Sequence, residues 1–301
     1  MIERNQHSRE VEAFLRRAFG AEWKLSLPQG SGHETYFASD GSRSLFVKLG
    51  AAIERVQAMA RLGLTPDVLE VDHLEDGTSI LVQQYVEGRN PGRSDYRQRL
   101  EQVANAIREM HNSEDVRATL PDYPPNDYAQ TGLRALAAVR ARWDEVRKQV
   151  PDVAHSVEQG LEELESRIEH VGGSGLVASH GDICNANWLL TPEGRLYLVD
   201  LDAMALDDPA LDVGATLWWY YPEELWGRFL EVVGYQDDDG FRERMWARLA
   251  LHCLSITLPR PDSFDRFDPT HYAQALVDFN AALRMKDNPQ AQDRSTHSVI
   301  D

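Results

Sequence analysis

Lysine and cysteine are scarce in this sequence. Only four lysines occur among 301 residues, at positions 24, 48, 148 and 286, so each one is more informative than a lysine usually is. The two cysteines, Cys184 and Cys253, imply no framework of disulfide bonds. No apolar run reaches the roughly 18 residues of a membrane-spanning helix, and the first residues lack the apolar core of a signal peptide. We therefore expect a cytoplasmic protein with no membrane partner.

Basic residues are outnumbered too: the chain has 31 lysines and arginines against 49 acidic residues, and its formal net charge is −18. Nucleic acids and anionic lipids require a basic footprint, which excludes both as partners. Hydrophobic residues make up 42% and charged residues 27% of the chain, as in ordinary globular proteins. A chain of 301 residues is long enough for two lobes with separate cores. The sequence carries no signal of an oligomeric state.

The pattern of hydrophobic residues changes near residue 86. Before that point an amphipathic helix is predicted at 8–19 and a second helix at 52–62. Short alternating or β-rich runs predict strands at 23–27, 35–38, 44–49, 68–71 and 79–86. From residue 94 onward the pattern is mainly helical, with a few short strand-like runs. We therefore predict an α+β fold with two lobes, a small β-rich one at 1–86 and a larger, mainly helical one at 87–301.

One constellation in the second half carries chemistry. It reads His180-Gly181-Asp182-Ile183-Cys184-Asn185-Ala186-Asn187, and Asp200 follows at the end of a strand-like run. Phosphoryl transfer needs oxygen ligands for Mg²⁺ and one carboxylate that accepts a hydroxyl proton. Asp182 supplies the free carboxylate, and Asn187 with Asp200 supplies an amide and a carboxylate for the metal. The spacing thus supplies the groups that Mg²⁺-assisted phosphoryl transfer needs.

Each part of this constellation, taken alone, also suits a different structure or activity. A His-Gly-Asp tripeptide often caps a turn or a helix. The run Asp200-Leu201-Asp202 would also suit the D-x-D metal site of a nucleotide-sugar transferase. A third possibility is a degenerate kinase that binds nucleotide without catalysis. A glycosyltransferase would give no role to Lys48 or to the loop from His180 to Asn187. The presence of all four expected polar residues argues against a degenerate kinase; they are Lys48, Asp182, Asn187 and Asp200.

The joint spacing resembles the catalytic loop and the metal-binding Asp of protein kinases. Gly181 stands where protein kinases carry Arg, which makes the loop more similar to that of the aminoglycoside phosphotransferase and choline kinase family. The resemblance spans about residues 30–219. It implies a two-lobed protein-kinase-like fold and transfer of the ATP γ-phosphoryl group to a small-molecule hydroxyl.

The resemblance also implies a lysine that binds the α- and β-phosphates. Lys48 in Leu45-Phe46-Val47-Lys48-Leu49 is similar to the lysine of the V-A-I-K strand in kinases. A carboxylate on the following helix would orient it. Glu54 is the only acidic residue between Lys48 and Asp67, and is therefore the expected partner, although a glutamate also suits a helix start.

Two further backbone segments are implied to hold the nucleotide. Gly30, Ser31 and Gly32 lie in a turn between predicted strands, where the family places a loop over the phosphates. This loop has only G-x-G and not the longer glycine pattern of protein kinases. The run through Gln84 and Val86 is similar to the linker strand, which implies that the Gln84 carbonyl and the Val86 N–H bind the adenine base.

The acceptor molecule is expected to be small and possibly cationic. Acidic residues outnumber basic ones from residue 180 onward, and aromatic faces could bind an amino sugar or a choline-like amine. A solubilising acidic surface and core aromatics explain the same composition. The carboxylates considered are Asp202, Asp207, Asp208, Asp237, Asp238, Asp239, Asp262, Asp265 and Asp268. The aromatic residues considered are Trp218, Trp219, Tyr220, Tyr221 and Trp226. The family resemblance further implies that Asp212 braces the catalytic loop, although an N-cap role suits it equally.

Overall fold

The structure is a computed structural model that describes residues 2–27, 35–124, 126–258 and 269–288, with side chains described except at 2–5 and 269–275. The predicted phosphate-covering loop with Gly30, Ser31 and Gly32 lies outside the described residues. The described part contains no helix that is long and apolar enough to cross a lipid bilayer.

Nine strands are described, most of them short. They are β1 (Lys24–Ser26), β2 (Thr35–Ser39), β3 (Ser44–Leu49), β4 (Val68–His73), β5 (Ser79–Gln84), β6 (Val177–Ser179), β7 (Trp188–Leu190), β8 (Leu196–Leu198) and β9 (Ala205–Asp207).

Eleven α-helices are described, most of them in the second half of the chain. They are α1 (Ile2–Phe19), α2 (Ile53–Arg61), α3 (Arg93–Gln98), α4 (Leu100–His111), α5 (Glu114–Arg117), α6 (Tyr128–Val146), α7 (Pro151–Glu169), α8 (Ala210–Tyr220), α9 (Trp226–Val233), α10 (Asp239–Ser255) and α11 (Pro269–Leu283).

The chain forms two compact units, and neither is a single continuous segment. Unit 1 contains Met1–Pro91, Glu114–Thr119 and Ala186–Ala203. Unit 2 contains Gly92–Ser113, Leu120–Asn185 and Met204–Asp301. The division into lobes at residue 86 stays a prediction.

Unit 1 is built on one antiparallel sheet with the strand order β1-β2-β3-β5-β4. Side chains alternate between the two faces of a strand, so Leu45, Val47 and Leu49 of β3 share a face and are buried. This face packs against α1 through Phe14 and Leu15. Burial of these side chains anchors β3, and therefore fixes the position of the residues on its other face.

Unit 2 is mainly helical, with large buried side chains on α4, α6, α9 and α10. Trp143, Ile107, Phe229 and Leu254 are each at most 2% exposed. Gly214 of α8 faces Met245 of α10 so closely that an added Cβ would lie 2.4 Å from the Met245 Cγ. A glycine at this crossing lets the two helices approach each other closely.

Several predicted boundaries differ from the observed ones. Helix α1 begins at Ile2 and not near residue 8. The helical pattern predicted from residue 94 onward is interrupted at Arg99, whose φ of −117° and ψ of 26° are not helical. Strand β5 ends at Gln84 and not at residue 86.

Candidate active site

Lys48 and two aspartates form a charged cluster in unit 1. The Lys48 Nζ lies 2.6 Å from the Asp202 Oδ2 and 3.4 Å from the Asp200 Oδ1. The lysine side chain is only 12% exposed, whereas both carboxylates are more open to solvent. Strand β3 therefore presents a partly buried ammonium to two carboxylates that come from more than 150 positions later in the chain.

Asp200 has an unusual backbone conformation. Its φ is 57°, which is the left-handed region that residues other than glycine rarely adopt. Such conformations cost free energy and are concentrated at functional sites. Asp200 follows the hairpin of β7 and β8, where the Val199 N–H donates to the Asn187 carbonyl at 2.9 Å. The hairpin thus brings the two predicted metal ligands, Asn187 and Asp200, onto neighbouring backbone segments.

Asn90 holds the backbone on both sides of Asn187. Its Nδ2 donates to the carbonyls of Ala186 and Trp188, each at 3.0 Å. The side chain of Asn187 is buried. Because both neighbouring carbonyls have the same donor, the short turn that carries Asn187 has a fixed shape.

The predicted ion pair between Lys48 and Glu54 is not formed among the residues that the structure describes. Glu54 is the second residue of α2 and is exposed. Its neighbour Arg55 instead donates from Nη1 to the carbonyls of Leu201 at 2.9 Å and Asp202 at 3.4 Å. Helix α2 thus contacts the turn after Asp200 through a cation and not through Glu54.

The face of the sheet that carries Lys48 also carries aromatic side chains. Thr35 pairs with Lys48 and Phe37 pairs with Phe46 in the register of β2 and β3, so alternation places all four on one face. The Phe37 ring centroid lies 6.0 Å from that of Phe46 and 5.5 Å from that of Tyr85. Phe37 is 37% exposed and Tyr85 is 41% exposed. This aromatic face is an exposed apolar surface beside a partly buried cation.

The predicted adenine contacts lie at the end of β5. The Gln84 N–H donates to the Asp67 carbonyl at 3.1 Å. The Val86 N–H makes no hydrogen bond within the part of the chain that the structure describes. Gln84 is exposed and Val86 is half-buried.

Asp182 belongs to a loop in unit 2 whose backbone is hydrogen-bonded to a buried carboxylate, that of Asp212. Asp212 accepts the His180 N–H at 2.7 Å with Oδ2 and the Gly181 N–H at 3.1 Å with Oδ1. Gly181 has a φ of 76°, a conformation that glycine adopts without strain. Ile183 is buried, while Asp182 is half-buried. The loop is thus anchored on both sides of Asp182.

A histidine completes the support of Asp212. The His111 Nε2 lies 3.1 Å from the Asp212 Oδ2, and the His111 Nδ1 lies 2.9 Å from the Tyr235 hydroxyl. Burial raises the pKa of Asp212, but the hydrogen bond and charge of His111, together with His180, outweigh burial and lower that pKa below its ordinary value of 3.8. Asp212 is therefore an ionised, fully buried anchor.

Tyr220 contacts the same loop further along. Its hydroxyl accepts the Asn185 N–H at 2.7 Å, and its ring stacks on Tyr96 at a centroid distance of 4.1 Å. Burial, with the charges of Cys184 and Asp182 nearby, raises the pKa of Tyr220. The hydroxyl therefore stays protonated and neutral beside the loop.

Most of the acidic and aromatic residues considered for a cationic acceptor serve the fold. Trp218, Tyr221 and Trp226 are buried. Four carboxylates have close arginine or lysine partners, and one caps a helix. These carboxylates are Asp202 with Lys48, Asp207 with Arg248, Asp208 with Arg244, Asp237 with Arg242, and the N-cap Asp238. Asp262, Asp265 and Asp268 lie outside the described residues.

Two of the aromatic residues remain accessible. Trp219 and Tyr220, at the end of α8, are half-buried. Arg93 donates from Nε to the Trp219 carbonyl at 3.2 Å. The accessible aromatic surface in this part of unit 2 therefore has an arginine beside it as well as Asp182 near Tyr220.

Comparison with known proteins identifies the fold and the family. A family model described as the phosphotransferase enzyme family matches residues 24–252. The structure is similar to that of the choline kinase LicA from Streptococcus pneumoniae, with a TM-score of 0.65 and 18% identity over 92% of this chain and 99% of that chain.

Two further solved structures are similar at comparable identity. One is an aminoglycoside phosphotransferase from Ralstonia eutropha, named as putative, with a TM-score of 0.67 and 16% identity over 92% of this chain and 95% of that one. The other is a thermostable mutant of aminoglycoside phosphotransferase APH(4)-Ia in complex with AMP-PNP and hygromycin B. Its TM-score is 0.65 and its identity 19%, over 91% of this chain and 98% of that one.

These likenesses confirm the predicted α+β, two-lobed protein-kinase-like fold. The match of the family model extends over most of the chain and includes both the strand of Lys48 and the segment from Asp182 to Asp200. This chain is therefore a member of the phosphotransferase enzyme family.

Proposed function

We propose that this chain is a small-molecule kinase that transfers the γ-phosphoryl group of ATP, with Mg²⁺, to a hydroxyl group. The observation that carries the proposal is the cluster in which the Lys48 ammonium lies 2.6 Å from Asp202 and 3.4 Å from Asp200. Catalysis of phosphoryl transfer rests on positioning and on charge neutralisation. The cluster combines a cation for phosphate oxygens with the Asp200 carboxylate for a metal ion.

The donor atoms in unit 1 suit Mg²⁺. The Asp200 Oδ1 lies 3.4 Å from the Lys48 Nζ, and the Asp200 side chain is 46% exposed, so its carboxylate is open to a metal ion. Asn187 adds an amide on the neighbouring backbone segment. No group of three or more His, Cys, Asp or Glu side chains forms a metal site within the described ranges, which agrees with an ion bound by one or two carboxylates and by phosphates. When bound, Mg²⁺ neutralises charge on the phosphates.

The roles of the residues follow from their chemistry. Lys48 binds the α- and β-phosphates, and Asn187 and Asp200 hold Mg²⁺. Asp182 orients the acceptor hydroxyl and takes its proton as the new bond forms. His180 and Gly181 contribute their backbone N–H groups to Asp212, which keeps the loop in one conformation while Asp182 acts.

The nucleotide base is proposed to lie against the aromatic face. Phe46 is two residues before Lys48 on the same face, and stacking on an aromatic ring stabilises a base without regard to its identity. The Val86 N–H and the Gln84 carbonyl would contact the base edge, and Gly30, Ser31 and Gly32 would donate N–H groups to the phosphates. The AMP-PNP bound by APH(4)-Ia supports a nucleotide as the donor.

The acceptor is proposed to be a small amino alcohol or amino sugar. The similar proteins include a choline kinase and a phosphotransferase solved with hygromycin B. Trp219 and Tyr220 offer aromatic faces. Burial raises the Tyr220 pKa, and Tyr220 is close enough to Asp182 for the charge of that carboxylate to raise this pKa further. Because most carboxylates of unit 2 already have partners, aromatic contacts would contribute more than carboxylates to binding of a cation.

The experiment is ATP consumption with Mg²⁺ across a panel of acceptors, with wild type and Asp182→Asn side by side. The panel contains aminoglycosides, choline, ethanolamine, homoserine and simple sugars. Turnover with one acceptor that is lost in the variant, while nucleotide binding persists, supports the proposal. A variant that keeps most of the activity contradicts the role of Asp182. A wild type that neither turns over nor binds nucleotide overturns the proposed function.

A further inference from the structure

We propose that Asp202, and not Glu54, is the carboxylate that positions Lys48, and that Arg55 holds the turn on which Asp202 lies. This inference rests on the proposed function, in which Lys48 binds the phosphates of the nucleotide. Asp202 and Arg55 are positioning residues, because they act through Lys48 and not on the reacting atoms.

The distances single out Asp202. Its Oδ2 is 2.6 Å from the Lys48 Nζ, against 3.4 Å for the Asp200 Oδ1. A charge-assisted hydrogen bond of this length is stronger than one at the longer distance. The Lys48 side chain is only 12% exposed, so a close anion offsets much of the cost of removing the ammonium from water.

The start of α2 explains why Glu54 does not have this role. Only four residues separate Lys48 from Ile53, the first residue of the helix. This short link is tied to β5, because the Gly50 N–H donates to the Ser79 carbonyl at 2.9 Å and the Ser79 hydroxyl donates to the Ala51 carbonyl at 2.8 Å. Glu54 is left exposed, with no ion pair to Lys48 in the described part of the chain.

Arg55 connects α2 to the turn that carries Asp202. Its Nη1 donates to the carbonyls of Leu201 and Asp202. Partial burial lowers the pKa of Arg55, and the charge of Asp202 acts in the opposite direction. The guanidinium is therefore paired with the turn by both hydrogen bonds and charge, and it fixes the backbone from which the Asp202 carboxylate reaches Lys48.

The test uses the reactivity of Lys48 towards an acylating reagent, without nucleotide or metal. An ammonium that is hydrogen-bonded to a carboxylate is less available to such a reagent. The labelled fraction of each lysine is measured by mass spectrometry in wild type, Asp202→Asn and Glu54→Gln. Lys24, Lys148 and Lys286 are exposed and serve as controls within the same chain.

We expect the labelling rate of Lys48 to rise about tenfold in Asp202→Asn, the ratio that corresponds to one lost hydrogen bond to a charged group. Arg55→Met, which removes the guanidinium but keeps the apolar stem, should raise it by a smaller factor. The three control lysines should keep their rates in every variant. An unchanged labelling rate of Lys48 in Asp202→Asn would overturn the inference. So would a labelling rate that increases in Glu54→Gln but not in Asp202→Asn.

A double-mutant cycle then tests the link to nucleotide use. If Asp202 acts through Lys48, Asp202→Asn adds little to the loss of kcat/KM for ATP that Lys48→Met causes. Glu54→Gln should add its own effect independently. Additive effects of Asp202→Asn and Lys48→Met would contradict the positioning role. Because labelling needs no ATP, a wild type that neither turns over nor binds nucleotide would overturn the proposed function, and labelling alone would still decide whether Asp202 positions Lys48.

Discussion

The His111 Nε2 lies 3.1 Å from the Asp212 Oδ2, and neither side chain is accessible to solvent. A carboxylate only accepts hydrogen bonds, so His111 donates from Nε2 to Asp212, while its Nδ1 shares a hydrogen bond with the Tyr235 hydroxyl. Asp212 in turn accepts the N–H groups of His180 and Gly181. The position of Asp182 in unit 2 is therefore set by a chain of buried and half-buried hydrogen bonds that begins at Tyr235.

Loss of the Asp212 charge should make the protein sensitive to acid. The folded-state pKa of Asp212 lies below the unfolded value of 3.8. Its contribution to the free energy of unfolding is therefore complete above about pH 4 and is lost as the pH falls through the lower, folded-state pKa. In wild type, unfolding by urea should become easier as the pH falls below 4, and Asp212→Asn should lose part of this dependence.

The same substitution should also destabilise the protein at neutral pH, by about 3 kcal/mol, because it breaks a buried pair. Asp67→Asn provides the control, since Asp67 is exposed and its side chain has no partner among the residues described. An Asp212→Asn variant as stable as Asp67→Asn at pH 7 would contradict this account of the anchor.

Tyr220→Phe should slow turnover with little effect on the KM for ATP. The substitution removes the acceptor of the Asn185 N–H in the loop that carries Asp182. We expect kcat to fall about tenfold, the effect of one hydrogen bond that matters in the transition state. Steady-state kinetics with the identified acceptor checks this result.

Tyr221→Phe is the matched control for that prediction. It removes a hydroxyl that donates to the buried Tyr96 carbonyl at 2.9 Å. We expect about 1 kcal/mol of lost stability, as for one hydrogen bond, and a kcat close to that of wild type. Equal kcat values in the two variants would contradict the prediction, because the Tyr220 hydroxyl would then contribute to stability and not to turnover.

Phe46→Ala should weaken nucleotide binding by about tenfold, because one base–aromatic contact contributes about 1–3 kcal/mol. Isothermal titration with a non-hydrolysable ATP analogue measures the change. Phe14→Ala, in the buried core on the opposite side of the sheet, should reduce the free energy of unfolding and leave the nucleotide affinity of the folded protein unchanged. An unaltered affinity in Phe46→Ala would remove the aromatic face from the proposed nucleotide site.

Gly88→Ala should destabilise unit 1 by about 1–3 kcal/mol through overpacking. An added Cβ would lie 2.7 Å from the Leu189 Cδ1 and 2.9 Å from the Leu190 carbonyl oxygen. Gly227→Ala is the contrasting variant, since a Cβ there meets no atom within 4 Å and alanine favours a helix. Thermal unfolding should therefore shift downward in the first variant and upward in the second.

The family and fold could be read from the sequence because their signals are local. Asp182 and Asn187 are five residues apart, and the strand of Lys48 has its own pattern of apolar residues. The pairing of Lys48 with Asp202 could not be predicted from local sequence, because the two residues are 154 positions apart. Only the fold brings them together, and the nearer Glu54 was the natural expectation.

The aromatic face was missed for a related reason. Phe37 and Phe46 are ordinary strand residues in the sequence, and their shared face depends on the register of β2 and β3. Alternation relative to Lys48 was the available signal, since Phe46 is two residues before it. The support of Asn187 by Asn90 had no such signal, because it joins two loops that are 97 positions apart in the chain.

Unit 1 cannot be assembled from the first 91 residues alone, because the segment Ala186–Ala203 belongs to it. The Leu198 N–H donates to the Leu64 carbonyl at 2.7 Å, and the Arg89 backbone exchanges two hydrogen bonds with Leu190. A nascent chain therefore completes unit 1 only after Ala203 has been synthesised. Until then Lys48 has neither Asp200 nor Asp202 as a partner. The contacts that complete this charged cluster join residues far apart in the sequence, and such contacts slow folding.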